Sequence, residues 1–164
     1  LSGRIVETEA YFGSDDPASR AYRKNIDNAG MSLQMFKKPG TTFVYMVHAN
    51  WLLNVVARDK RSDAGAVLIR AVEPLEGIDV MFANRRKRNK NIGKVEELCS
   101  GPGKLTQAFG IDKSHSGLDI LGNKIWIEKG ERGFEIGTSH RIGVSRDLPE
   151  KLRFFIKGNR FVSK

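Results

Sequence analysis

The chain is poor in anything that could cross-link it or hold a metal. Of its 164 residues only Cys99 is a cysteine, so no intramolecular disulfide can form and a reducing compartment suits it. The three histidines are scattered, none at metal-ligand spacing, so neither metal nor cofactor is expected. No apolar run approaches the roughly 18 residues that cross a bilayer, which excludes a spanning helix. The opening Leu1-Ser2-Gly3-Arg4 has no charged stretch leading into an apolar one, so no signal peptide is expected. Repeats, low-complexity tracts and a Pro/Gly/Ser-rich linker are all missing, and the length fits one domain over residues 1–164.

What is plentiful is positive charge. Lys and Arg number 28 against 19 Asp and Glu, a formal net charge of +9. Such an excess favours polyanions, nucleic acid first and acidic membrane surface second. It is also clustered: Arg85, Arg86, Lys87, Arg88, Lys90 and Lys94 follow one another with no carboxylate between them. The plain alternative is a solvated helix end and loop.

The patterning predicts an α+β fold, a curved antiparallel sheet with a protruding hairpin and helices packed around it. Gly3–Tyr11 reads as a strand. Residues 13–38 are polar and turn-rich, a surface loop with short helical turns. Thr41–His48 and Trp51–Ala57 are β-branched and aromatic, joined by only Ala49-Asn50, which predicts a tight hairpin. A polar turn at Asp59–Asp63 leads to a third strand, Ala66–Val72, ended by Glu73-Pro74. Leu75–Lys87 reads as a helix. Ser100-Gly101-Pro102-Gly103 opens another, with serine as N-cap and proline in the first turn, closing at Gly110. Lys124–Lys129, His140–Val144 and Leu152–Lys157 read as short strands.

Glu7-Thr8-Glu9-Ala10-Tyr11 places two glutamates on one face of a strand. A carboxylate beside an aromatic at a strand end can serve as a general base tuned by partial burial. An exposed Glu/Thr/Glu edge is the alternative. Cys99 precedes a helix start, where a thiol pKa can fall, but a buried, inert cysteine fits as well.

Several separated stretches stand out together: Gly3-Arg4-Ile5-Val6-Glu7-Thr8-Glu9-Ala10-Tyr11, Lys38-Pro39-Gly40-Thr41, the run from Val67 to Gly77, Leu98 to Leu105, Arg141-Ile142-Gly143-Val144, and Leu152 to Gly158. In this order they resemble the alkyladenine (3-methyladenine) DNA glycosylase family. The family pattern has a further stretch ahead of the first motif, so the chain is expected to be short at its start.

The resemblance implies a monofunctional glycosylase of base excision repair. Such an enzyme flips alkylated or deaminated purines out of duplex DNA and hydrolyses the N-glycosidic bond, as a monomer and without a cofactor. It would work in the cytoplasm of a prokaryote, associated with the nucleoid, or in a eukaryotic nucleus. A non-catalytic nucleic-acid-binding module of the same fold is the alternative. By resemblance, Glu9 activates the water and Arg70 positions it, while Tyr11 and Tyr45 sandwich the base and Asn54 bars the amino group of guanine. For Arg70 a cross-strand ion pair, for the tyrosines core packing, and for Asn54 a hydrogen-bonded strand position are the alternatives.

Two departures from the family pattern stand out. Arg20 occupies the place of the histidine that forms the third pocket wall, and its charge would oppose a cationic lesion. At the hairpin tip the family tyrosine, which wedges into the duplex, corresponds to His48 by counting forward. The segment to Asn54 is one residue shorter than the pattern, so Trp51 competes. Phosphate contacts are expected from Ser100, Gly101 and Lys104 at a helix start, from Arg141, and from Arg85, Arg86 and Arg88.

Overall fold

The computed structural model describes residues 1–58 and 62–163, so part of the expected turn at Asp59–Asp63 lies outside the described residues. Six strands form one antiparallel sheet: β1 (Ser2–Tyr11), β2 (Thr42–Val47), β3 (Asn50–Val56), β4 (Ala66–Glu76), β5 (Ile136–Ser139) and β6 (Arg153–Ile156). Their order is β2-β3-β4-β1-β6-β5, which puts β1 between β4 and β6 rather than at an edge. Helices α1 (Ile78–Arg86), α2 (Glu96–Cys99) and α3 (Pro102–Phe109) complete the α+β architecture. Among the described residues no helix is long and apolar enough to cross a membrane.

Alternation along the strands builds three buried clusters, the smallest joining Val6, Ala71, Ile156 and Phe161. Val44, Leu53, Ile69 and Val72 face α1, α2 and α3 through Met81, Leu98 and Leu105. Their strand neighbours Phe43, Val56 and Ala66 face the 13–38 loop through Ala21, Ala29, Met35 and Phe36. Ile69 and Val72 are three apart yet share one core, which strict alternation forbids. The register explains it: between β1 and β4 it skips Val6 and Arg70, a β-bulge. Bulges re-aim side chains, and here the re-aimed residue is Arg70.

Several sequence expectations need correction. The hairpin turn is His48-Ala49, one residue earlier than expected. β4 continues through Pro74, which the ladder tolerates because pairing is already irregular opposite Ser2 and Gly3. Accordingly α1 starts only at Ile78, after Gly77 in the left-handed region. Residues 124–129 make a single bridge, Leu121 to Trp126, and no strand. The last-but-one strand is Ile136–Ser139, not 140–144, because the Arg141 amide and guanidinium both turn to Asp147. Gly101 caps α3, and Ser100 makes no capping bond.

Candidate functional site

Glu7, Glu9 and Tyr11 alternate on β1 and so lie on one face. Both glutamates are buried, at 1% and 0% exposure. Arg70 reaches them from the bulge, donating from Nε to Glu7 Oε1 (3.0 Å) and from Nη1 to Glu9 Oε2 (3.2 Å). Arg153 of β6 donates to Glu7 Oε1 at 2.7 Å, so two buried carboxylates face two guanidiniums and the charges cancel. Without that pairing, burial of either charge would cost several kcal/mol.

The two carboxylates differ in the donors they receive. A carboxylate offers about four acceptor positions, two on each oxygen. Glu7 receives four donors: Arg70, Arg153 and the Ser163 hydroxyl (2.8 Å) crowd Oε1, and the Ser163 amide (2.7 Å) reaches Oε2. Burial alone would raise its pKa, but these donors hold it below the ordinary value. Among the described residues Glu9 receives three: the Ile142 amide (2.7 Å) on Oε1, and the Tyr11 hydroxyl (2.8 Å) and Arg70 on Oε2. Among those residues Oε1 therefore has one acceptor position without a donor. Sequence reasoning singled out Glu9 but missed Arg153 and Ser163. The signal for a second buried acid was Glu7 on the same face.

Beyond Tyr11 lies a small pocket lined by Tyr11, Arg20, Met35, Phe43, Tyr45 and Asn54, so the four expected base-contacting residues converge. Its open space is about 10 Å³, barely room for one water. Arg20 occupies the mouth, its guanidinium 4.8 Å from the centre of the Tyr45 ring. Phe43 stacks on Tyr45 at 4.8 Å. Burial pushes both phenol pKa values up, helped at Tyr11 by the Glu9 charge, so both remain O–H donors at neutral pH. The Asn54 amide nitrogen donates to the Phe43 and Leu52 carbonyls, which fixes the side chain in place.

His48 sits exposed at the hairpin tip with φ +46°, followed by Ala49 at +60°. Both residues of a two-residue turn of this kind need positive φ, which suits Asn-Gly and strains His-Ala. Neighbours pin the strained tip: the Asn50 side chain donates to the His48 carbonyl (2.9 Å) and Arg88 donates to the Ala49 carbonyl (2.8 Å). Trp51 is half-buried against the helical core, and Thr106 of α3 donates to its carbonyl at 2.7 Å. A Cβ on Gly103 would come within 2.8 Å of the Asn50 Cβ, so glycine there lets α3 seat against the hairpin base.

The expected phosphate contacts divide. Arg86 and Arg88 are exposed, and Arg88 brings the basic cluster to the hairpin tip. Lys104 is exposed in the first turn of α3, beside Gly101. Arg85 is buried, at 6% exposure, with its guanidinium turned to Gln107 and to the Glu97 carbonyl. Arg141 is buried too. Its guanidinium spans Asp16 and Asp147, donates to the Ala10 carbonyl and covers the Tyr11 ring at 4.5 Å. Neither can reach a phosphate without breaking the core, so both are struts. Asp16, which holds Arg141, is inconspicuous in the sequence, inside an ordinary Asp-Asp-Pro turn. Cys99 is fully buried, and burial pushes its thiol up to about 12, so it is inert.

Comparison with known proteins places the same residues in a family context. The model of the family described as methylpurine-DNA glycosylase matches residues 1–160. A protein of Chlorobium phaeovibrioides named "Putative 3-methyladenine DNA glycosylase" is 43% identical over 167 residues, covering 100% of this chain and 81% of that one. Proteins with the same name are 42% identical in Prosthecochloris aestuarii (99% and 75% covered) and 41% identical in Alkaliphilus oremlandii (100% and 84% covered).

Proposed function

Because this chain belongs to the methylpurine-DNA glycosylase family, enzymes that hydrolyse N-glycosyl bonds in DNA, we propose that it flips a damaged purine from duplex DNA into the slot between Tyr11 and Tyr45 and uses Glu9 to cut the base free. The carrying observation is that Glu9, whose Oε1 has one donor among the described residues, stands beside an aromatic pocket to which the Tyr11 hydroxyl ties it. Departure of the base leaves an oxocarbenium-like sugar. A fixed carboxylate stabilises that charge and deprotonates the incoming water. Arg70, which donates to Glu9, orients the water. Alkylated purines leave readily, so a second carboxyl acting as acid is not required, and Glu7 serves to position Arg70.

His48, at the tip, fills the space left by the extruded nucleotide. Arg86, Arg88 and Lys104 grip the backbone nearby, and the protein works as a monomer on double-stranded DNA. A non-catalytic binder would gain nothing from burying a carboxylate beside an aromatic pocket. The test is incubation with a duplex bearing one hypoxanthine or one alkylpurine, followed by alkaline cleavage. Strand scission at the lesion is expected, and a duplex left intact by folded protein for every lesion would refute the reading.

A further inference from the structure

The structure assigns a discriminating role to Arg20: it biases the base pocket toward neutral damaged purines with acceptor atoms on their edge, and against purines made cationic by alkylation. This rests on the pocket reading above. Each pocket tyrosine carries a guanidinium, Arg141 over Tyr11 at 4.5 Å and Arg20 over Tyr45 at 4.8 Å. The two are electrically different. Arg141 is neutralised by Asp16 and Asp147, whereas among the described residues no carboxylate pairs with Arg20. Arg20 therefore brings an uncompensated positive charge to the mouth of a pocket with about 10 Å³ of open space.

A base that enters must either displace this guanidinium from the Tyr45 face or share the slot with it. For a cationic purine both routes are unfavourable. Displacement forfeits a cation–π contact that the newcomer only replaces, and sharing sets two like charges side by side. A neutral oxopurine meets the opposite situation. Its carbonyl and ring nitrogens are acceptors, and a guanidinium has five donors and no acceptor. Because Arg20 is exposed on its outer side, it can swing from the Tyr45 face to the edge of the base without disturbing the core. A residue that merely plugged the pocket would weaken every lesion alike, whereas a discriminating one changes their ratio.

The experiment compares duplexes carrying hypoxanthine or 7-methylguanine at the same position. Binding is measured by fluorescence anisotropy in a Glu9→Gln background, and excision is measured under single turnover with Glu9 intact. Arg20→Gln is expected to shift the affinity ratio toward 7-methylguanine by about tenfold, and the excision ratio with it. Arg20→Lys, which keeps the charge, should hold the ratio near that of the parent. An unchanged affinity ratio in folded Arg20→Gln overturns the inference, whatever the excision assay gives. A shifted affinity ratio without excision by the parent would uphold Arg20 as discriminator and defeat the glycosidic step instead.

Discussion

Arg141 grips both oxygens of Asp16, at 2.6 and 2.8 Å, with neither side chain exposed. That fork joins two loops that have different tasks. Asp16 also accepts the Phe12 and Ala18 amides and so shapes the turn that delivers Arg20. The residue after Arg141 is Ile142, whose amide holds Glu9. The Arg20 turn and Glu9 thus share one buried ion pair.

Asp16→Asn should therefore affect stability and activity together. Removing one partner of a buried pair costs about 3–5 kcal/mol, read as a lower urea midpoint. Lesion excision by the surviving folded fraction should also slow, because the Ile142 amide loses its anchor. Unimpaired excision per folded molecule would mean that the fork is structural only.

Glu9→Gln should keep lesion-duplex affinity while lowering single-turnover excision at least about a hundredfold, the low end for loss of a general base. The amide is isosteric and still accepts from Arg70. Excision at the parental rate would remove Glu9 from the mechanism.

Glu7 governs acid stability. Its carboxyl pKa is lower in the folded than in the unfolded chain, despite burial, because Arg153, Ser163 and Arg70 donate to it. Its contribution is thus complete above the unfolded value and is lost as pH falls through the folded one. Urea midpoints should decline as pH drops below about 4.5. Glu7→Gln should destabilise at neutral pH by about 3–5 kcal/mol, since buried Arg153 loses its carboxylate and Arg70 keeps only Glu9, and it should flatten the acid limb. An acid limb as steep as the parent's would shift responsibility to other carboxylates.

Binding to undamaged duplex should weaken with salt, with log K against log salt falling by about 0.9 per phosphate neutralised. Arg86→Ala with Arg88→Ala should flatten that slope by up to about two such steps. Arg85→Ala, by contrast, should leave the slope alone and lower the melting temperature. If Arg85→Ala alone flattens the slope, its inward orientation is not the one used on DNA.

The tip offers a trade between stability and work. Glycine accepts φ +46° without strain, so His48→Gly should raise the melting temperature slightly while reducing flipping, followed by 2-aminopurine fluorescence beside the lesion. Trp51→Ala should lower the melting temperature, because the indole packs on the helical core. A stably folded Trp51→Ala that cannot flip, with full flipping by His48→Gly, would exchange their roles.

Period-two alternation makes part of the site legible in the amino-acid sequence. Glu9 and Tyr11 share a strand face by alternation, whereas Tyr45 and Asn54 on the β2–β3 hairpin are linked to them in the sequence only by the family resemblance, since β4 lies between. Charge offers no such guide. Arg85 and Arg88 look alike in sequence, yet one is buried against Gln107 on α3 and the other reaches the Ala49 carbonyl. Arg141 meets Asp16 across 125 positions, a pairing that no local pattern encodes. Pro74 misleads for a related reason: a proline breaks a regular ladder, and irregularity of pairing is invisible until the partner strand is known.

The bond from Ser163 to Glu7 closes a separation of 156 residues, and this sets a timetable. Glu7 leaves the ribosome well ahead of its partners, and it can be buried only when Arg70 arrives from β4 and Arg153 and Ser163 arrive from the β6 side. Until then an ionised carboxylate in the middle of β1 must stay hydrated, and the strand destined for the centre of the sheet remains unpaired on one edge. Hydrogen-exchange pulse labelling should find β1 amides protected no earlier than those of β6. A nascent chain therefore exposes Glu9, Tyr11 and Arg70 before the residues that bury Glu7 beside them have been made.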